Sequence, residues 1–194
     1  MNTGFADIQP YPFEKLAALR AGVDLPDKTS LDLSIGEPKH PTPALITQAL
    51  MDNIDKISKY PATRGTRELR EAIVTWLGRR FGLAPNSLDP ERHVLPVSGT
   101  REALFAIVQC VVSRRSDQSL VVLPNPFYQI YEGATLMAGA EPYYVNCSTD
   151  GLPDFDSVPD TVWDRCALAF LCTPGNPTGA AMSLQRLEAL ITLS

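Results

Sequence analysis

The chain has 194 residues, 44% of them apolar and 20% charged, with a formal net charge of −5. That length is enough for one ordinary domain with a real core, and the acidic balance argues against a general binder of nucleic acid or membrane surfaces. No apolar run is long enough to span a bilayer, and the start, MNTGFADIQP, has neither the basic nor the apolar region of a signal peptide, so a cytoplasmic location is expected.

Residues 1–30 alternate turn residues with one short amphipathic piece, Phe13–Arg20, and read as an arm or an edge segment. Leu31, Leu33 and Ile35 then alternate as in a strand, before Gly36 and three prolines force irregular backbone. Gly36 is either a plain turn glycine or a place where a ligand carboxylate approaches the main chain. Thr42 and Pro43 read as N-cap and first residue of a helix whose apolar face carries Leu45, Ile46, Ala49, Leu50 and Ile54. Tyr60-Pro61 ends that unit, and packing is the default role for Tyr60. Gly65–Phe81 is expected as a strongly amphipathic helix, with Leu69, Ile73, Trp76, Leu77 and Phe81 on one side. Arg64, Arg67, Arg70, Arg79 and Arg80 make its solvated face.

After a polar linker, Leu83–Arg92, the stretch VLPVSGTREALFAIVQCVV (Val94–Val112) predicts a short buried strand, a tight turn and a helix. Gly99 lets backbone come close to a bound group. The amides of Gly99, Thr100 and Arg101 fall at the helix start, where unpaired N–H groups and the positive dipole end favour an anion. Ser98 and Thr100 add hydroxyls and Arg101 a full charge, so the turn suits a phosphate; an ordinary capped strand-to-helix turn has the same sequence. Strands follow at Leu120–Leu123, Glu141–Cys147 and Cys166–Cys172, the last a near-continuous apolar run expected to be buried on both faces. Between them lie PNPFYQIYEG, leading into a helix to Ala138 with Tyr128 and Tyr131 on one face, and a loop, Gly151–Asp164, with room for a turn of helix. TPGNPTG (Thr173–Gly179) breaks the last strand, and Ser183 caps a final helix. The four cysteines form no CxxC pair and read as buried free thiols. With only His40 and His93 beside them, no metal site is expected.

Strands alternating with helices imply an α/β fold with a mostly parallel sheet. Ligands in such sheets sit beyond the carboxyl ends of strands. Ser98–Arg101, Pro124–Tyr128 and Thr173–Gly179 are expected to converge there. An anion cradle, an aromatic ring at Tyr128 and an amide at Asn176 together suit a flat phosphorylated cofactor.

These segments resemble, in this order, the first part of a class I/II aminotransferase, a fold-type-I enzyme using pyridoxal 5'-phosphate (PLP). PGNPTG (Pro174–Gly179) is the most specific match, supported by LSIGEP (Leu33–Pro38), YPATRGTRELREAI, SGTREA and PNPFY. Within the family the wording is similar to the bacterial N-succinyldiaminopimelate aminotransferases of lysine biosynthesis. The resemblance implies that Gly99, Thr100 and Arg101 hold the PLP phosphate. It implies that Tyr128 stacks on the pyridine ring and that Asn176 bonds its phenolic oxygen near the substrate carboxylate. Gly36 would offer backbone to that carboxylate, and Tyr60 would reach the PLP phosphate of the partner subunit in a homodimer. The Asn176–Pro177 bond is expected to be cis, as in relatives. Residues 1–42 would be an arm and small-domain segment, and 43–194 the first part of the PLP-binding large domain.

The family's Schiff-base lysine lies well downstream of the NPTG motif. The five lysines here, Lys15, Lys28, Lys39, Lys56 and Lys59, all precede the phosphate turn, and none matches it. The chain therefore reads as an amino-terminal fragment, expected to be inactive and to fold poorly by itself. The implied reaction of the full-length enzyme is amino transfer between N-succinyl-L,L-2,6-diaminopimelate and 2-oxoglutarate; an acetylated substrate would share these motifs. A non-catalytic α/β module that binds a phosphorylated ligand or a partner chain is the alternative.

Overall fold

The computed structural model describes residues 6, 8–24, 27–29, 31, 36–113 and 119–193. The elements in chain order are α1 (Pro12–Arg20), α2 (Ala44–Met51), α3 (Arg67–Phe81), α4 (Thr100–Val111), β1 (Leu120–Asn125), α5 (Ile130–Ala138), β2 (Glu141–Asn146), α6 (Asp160–Trp163), β3 (Cys166–Ala169) and α7 (Leu184–Leu193). The backbone forms two compact units, one of Met1–Lys15 with Val97–Ser194 and one of Leu16–Pro96.

In the first unit the three strands are parallel, in the order β2-β1-β3. β1 is central and buried along all but its last residue. Successive side chains of a strand point to opposite faces, and β1 uses both. Val121 and Leu123 pack with Val108 of α4, Tyr131, Ala134 and Ala138 of α5, and Phe170. Val122 packs with Val145, Phe155, Val158 and Met182, against which Leu187 and Leu190 of α7 lie. Helices thus cover both faces, which is what a parallel sheet needs. Each fully buried aliphatic side chain contributes about 1.5–3 kcal/mol. α5 stops at Gly139, whose φ of 78° an L side chain adopts at a cost. There the Gly139 and Ala140 amides donate to the Leu136 and Thr135 carbonyls at 3.0 and 3.1 Å.

The α/β, mostly parallel architecture is as expected, but three local readings change. β3 ends at Ala169 rather than Cys172, and it is half-buried rather than buried on both faces. Among the described residues it pairs only with β1, with a register shift between Leu120 and Val121, so its other side is unpaired there. Val94–Val97 is no strand: an isolated extended segment has no ladder to join, and Leu95 is 66% exposed. The thiols are less enclosed than expected. Cys110 is exposed and Cys147, Cys166 and Cys172 are partly so, because the apolar runs that carry them lie at helix surfaces and the sheet margin. Burial still pushes the Cys166 and Cys147 thiols above their ordinary pKa.

The second unit is helical. α2 begins one residue later than the sequence implies: Pro43, not Thr42, is the N-cap, and its carbonyl accepts from the Ile46 amide at 2.9 Å. Ile54 falls beyond α2, in a 3-10 turn, Ile54–Ser58. α3 starts at Arg67, not Gly65, because the Thr66 side chain caps it by accepting from the Leu69 amide at 3.2 Å. Gly65 sits outside at φ 70°, where a Cβ would come within 2.8 Å of Pro96 Cγ. The expected buried side of α3 is largely open, with Leu69, Trp76 and Phe81 exposed.

The main correction concerns Arg70. Expected on a solvated face, it is the one buried side chain among the described residues of this unit, at 5% exposure. Its guanidinium donates to the carbonyls of Arg64 (3.0 Å), Gly65 (2.8 Å) and Pro90 (3.2 Å) and to the Glu91 carboxylate (2.7 Å). With four of its five donors bonded this way, the guanidinium can leave water. The strand read over Leu31–Ile35 lies largely outside the described residues. Leu31 itself is described, and it is exposed and in no strand.

Candidate active site

Gly99 is the N-cap of α4, in extended backbone, and no side-chain hydrogen bond closes the helix start. A Cβ on Gly99 would run into the Glu102 carboxylate. With glycine as N-cap the first amides of α4 have no side-chain cap from that position, and free amides at a helix start are the form of an anion cradle. Thr100 and Arg101 follow as the first helical residues, both exposed.

Arg101 links this helix start to the β1–α5 connection. Its guanidinium holds its proton above the ordinary range, first through a side-chain hydrogen bond with Tyr11 and then through charge interaction with Tyr128. The Gln109 amide ties α4 to α5 by donating to the Ala134 carbonyl at 3.0 Å. Tyr128 precedes α5 rather than lying within it, and its carbonyl accepts from the Tyr131 amide at 2.9 Å. Its ring meets Tyr131 edge-on, 5.9 Å between centroids, and Tyr131 stacks on Phe170 at 4.1 Å. Burial, and then Cys172, raise the Tyr131 pKa. This aromatic series fixes Tyr128 against the core.

The TPGNPTG segment lies on the same side. Asn176 lines a crevice with Pro124, Pro126, Cys172 and Gly175. Asn176–Pro177 is cis, as expected, and so are Asn125–Pro126 and Thr173–Pro174. The turn closes on itself: the Gly179 amide donates to the Gly175 carbonyl at 2.7 Å, and the Gly175 amide to the Ala180 carbonyl at 2.8 Å. Thr173 Oγ1 accepts from the Met182 amide at 2.9 Å. At Gly175 a Cβ would lie 2.5 Å from Thr178 Oγ1. The three segments singled out at strand ends thus belong to one unit.

The residue 28–194 segment matches the family model for aminotransferase class I and II. The chain belongs to the class I and II aminotransferases. Members of this family are PLP-dependent. A curated relative, LL-diaminopimelate aminotransferase 2 of Trichormus variabilis, is 35% identical over 193 residues, covering 95% of this chain and 47% of the relative. The LL-diaminopimelate aminotransferase of Nitratidesulfovibrio vulgaris is 33% identical, covering 96% and 47%. Among solved structures, an aminotransferase from Neisseria meningitidis aligns with a TM-score of 0.92 at 42% identity, over 100% of this chain and 49% of that one. A probable N-succinyldiaminopimelate aminotransferase from Thermus thermophilus aligns with a TM-score of 0.75 at 28% identity, over 98% and 49%. The chain spans about half the length of the curated relatives it matches.

The residues present fit the phosphate of PLP: Gly99 leaves the start of α4 without a side-chain cap, and Arg101 supplies a cation there beside the Glu102 carboxylate. Gly36 and Tyr60 belong to the other unit. Gly36 has nothing within 4 Å of a would-be Cβ, and Tyr60 is 96% exposed. Tyr11 is the site-associated residue that the sequence reading missed. It lies some ninety positions from Arg101, and no spacing rule links the two. Among the described residues no helix is long and apolar enough to cross a membrane.

Proposed function

We propose that this chain serves PLP-dependent amino transfer between N-succinyl-L,L-2,6-diaminopimelate and 2-oxoglutarate in lysine biosynthesis, as the amino-terminal part of a homodimeric enzyme. In this reading residues 1–42 are the arm and small-domain segment and 43–194 the first part of the large domain. The carrying observation is the α4 start at Gly99 with no side-chain cap, in the same unit as Tyr128 packed edge-on against Tyr131. Gly99, Thr100 and Arg101 present amides to the cofactor phosphate. Tyr128, braced by Tyr131, holds one face of the ring and excludes water from it. Asn176 donates its side-chain amide to the phenolic oxygen and orients the substrate carboxylate. Gly36 offers backbone to the same carboxylate, and Tyr60 gives its hydroxyl to the phosphate in the partner subunit. PLP, when bound, supplies the electron sink for carbanion chemistry at the amino-acid α-carbon. Names carried by relatives support the diaminopimelate class, in its free and its N-succinylated form.

The test is turnover by the full-length enzyme, with glutamate release followed separately for N-succinyl-L,L-diaminopimelate and for L,L-diaminopimelate. Preference for the acylated donor by at least tenfold in kcat/KM is expected; preference for the free diamine overturns the acyl assignment. Gly99→Val in the same protein should weaken PLP binding, read by equilibrium dialysis, because side chain and phosphate compete for one space.

A further inference from the structure

A cavity of about 660 Å³ lies within the first unit, between the arm residues 8–15 and the β1–α5 connection. Its polar lining is Gln9, Lys15, Arg101, Asn125, Gln129 and Glu132, set among prolines, Phe127, Ile130 and Leu136. Apolar walls with a few convergent polar groups are the form of a small-molecule site. The charges are unequal, two cations to one carboxylate, in a chain whose net charge is −5.

Both cations bond neutral groups. Lys15 Nζ donates to the Gln9 side-chain carbonyl at 3.4 Å, and Arg101 bonds the Tyr11 hydroxyl. Among the described residues no carboxylate lies within ion-pair distance of either, although the charge of Glu102 adds a smaller effect on Arg101. The one lining carboxylate, Glu132, already accepts from the Tyr144 hydroxyl at 2.5 Å. An ionised carboxylate entering the cavity would meet two cations that have no ion pair among the described residues, and charge-assisted hydrogen bonds are the strong ones. Arg101, the second residue of α4, lines the cavity, and so do Phe127 and Gln129, which flank Tyr128 in sequence. The cavity therefore adjoins the segment that carries Tyr128 and the start of α4.

We infer that this cavity receives the remote, carboxylate-bearing end of a dicarboxylic amino-acid substrate, with Lys15 and the Arg101 side chain as its counter-ions. The inference rests on the amino-transfer reading above and adds a specificity-determining residue, Lys15, that this reading does not use. Arg101 then has two separate tasks, its main-chain amide at the phosphate and its side chain at the cavity.

The test uses the full-length, PLP-loaded enzyme. Lys15→Met should raise KM for diaminopimelate donors, free or N-succinylated, at least tenfold, with kcat within twofold. KM for L-norleucine, which has no remote carboxylate, should not change. Lys15→Arg should restore KM to within threefold. Calorimetric titration with pimelate, independent of turnover, should show at least tenfold weaker binding to Lys15→Met. Equal KM effects on norleucine and diaminopimelate would overturn the inference, as would unchanged KM and pimelate affinity. A wild-type enzyme that turns over neither diaminopimelate donor would overturn the amino-transfer reading and the substrate named here; Lys15-dependent pimelate binding would then still uphold the carboxylate site.

Discussion

Leu123 and Leu45 carry the same side chain in two settings. Leu123, in the central strand of the sheet unit, is fully buried among α4, α5 and Phe170, whereas Leu45, on the first turn of α2, is 83% exposed. The contrast extends to the units around them. The sheet unit is held by two apolar clusters on opposite faces of β1. The helical unit of Leu16–Pro96 buries one side chain among its described residues, and that is the charged Arg70. Burial is non-directional and tolerates small shifts, but a guanidinium shared among three carbonyls and a carboxylate specifies one geometry. The first unit therefore draws its stability from area, and the second keeps its loop-to-helix geometry through directional contacts.

The largest effect should come from Leu123→Ala. It removes a fully buried side chain from a packed cluster and should cost about 2–5 kcal/mol in urea unfolding. A loss below about 1 kcal/mol would mean that the cluster collapses around the gap and that the contrast with the helical unit is overstated.

Arg70→Met comes next. It strips the carbonyls of Arg64, Gly65 and Pro90 of a donor; none of these residues is buried, so water replaces most of what is lost and the cost should stay near the ~1–3 kcal/mol of one unsatisfied group. This variant should also alter the acid limb. The Arg70 hydrogen bond, helped by the charges of Arg70 and Arg64, holds the Glu91 carboxyl below its ordinary pKa. The sign follows from linkage: Glu91 stabilises the fold above its unfolded pKa, and that stabilisation is lost as pH falls through the depressed folded value. In Arg70→Met the loss between neutral pH and the acid range should be shallower, as read by unfolding midpoints across pH. An unchanged acid limb would remove Glu91 from the account.

Gly65→Ala should destabilise the helical unit by about 1–2 kcal/mol from backbone strain at positive φ, with more from contact at Pro96. Amide exchange in 61–70 should rise while β1 stays protected; uniform loss across the chain would show that the two units unfold together. The smallest effect belongs to Leu45→Ser, expected within about 0.5 kcal/mol for an exposed position. A larger cost measured in the full-length protein would show that α2 is covered there, and light scattering would test whether the proposed homodimer provides the cover.

Much of this was legible in the sequence because it is local. The α5 helix, the β1 and β2 strands, Gly99 at a helix start and the closed TPGNPTG turn all follow from periodicity, capping and turn chemistry acting within a few residues. The candidate residues were legible for the same reason: Gly99–Arg101 open α4, Tyr128 lies just before α5, and Asn176 sits in a turn that closes on itself. Tertiary structure alone decided the rest. An apolar run such as Cys166–Cys172 carries no record of how many neighbours it will have, so only the sheet order shows that β3 stops at Ala169 with one side unpaired among the described residues. A helical arginine reads as solvated until carbonyls from Arg64, Gly65 and Pro90 converge on it. Arg101 and Tyr11 meet, and Lys15 joins them at one cavity, because the arm packs on the β1–α5 connection. Contacts between groups far apart in sequence depend on where the chain returns, and no periodicity within a segment encodes that.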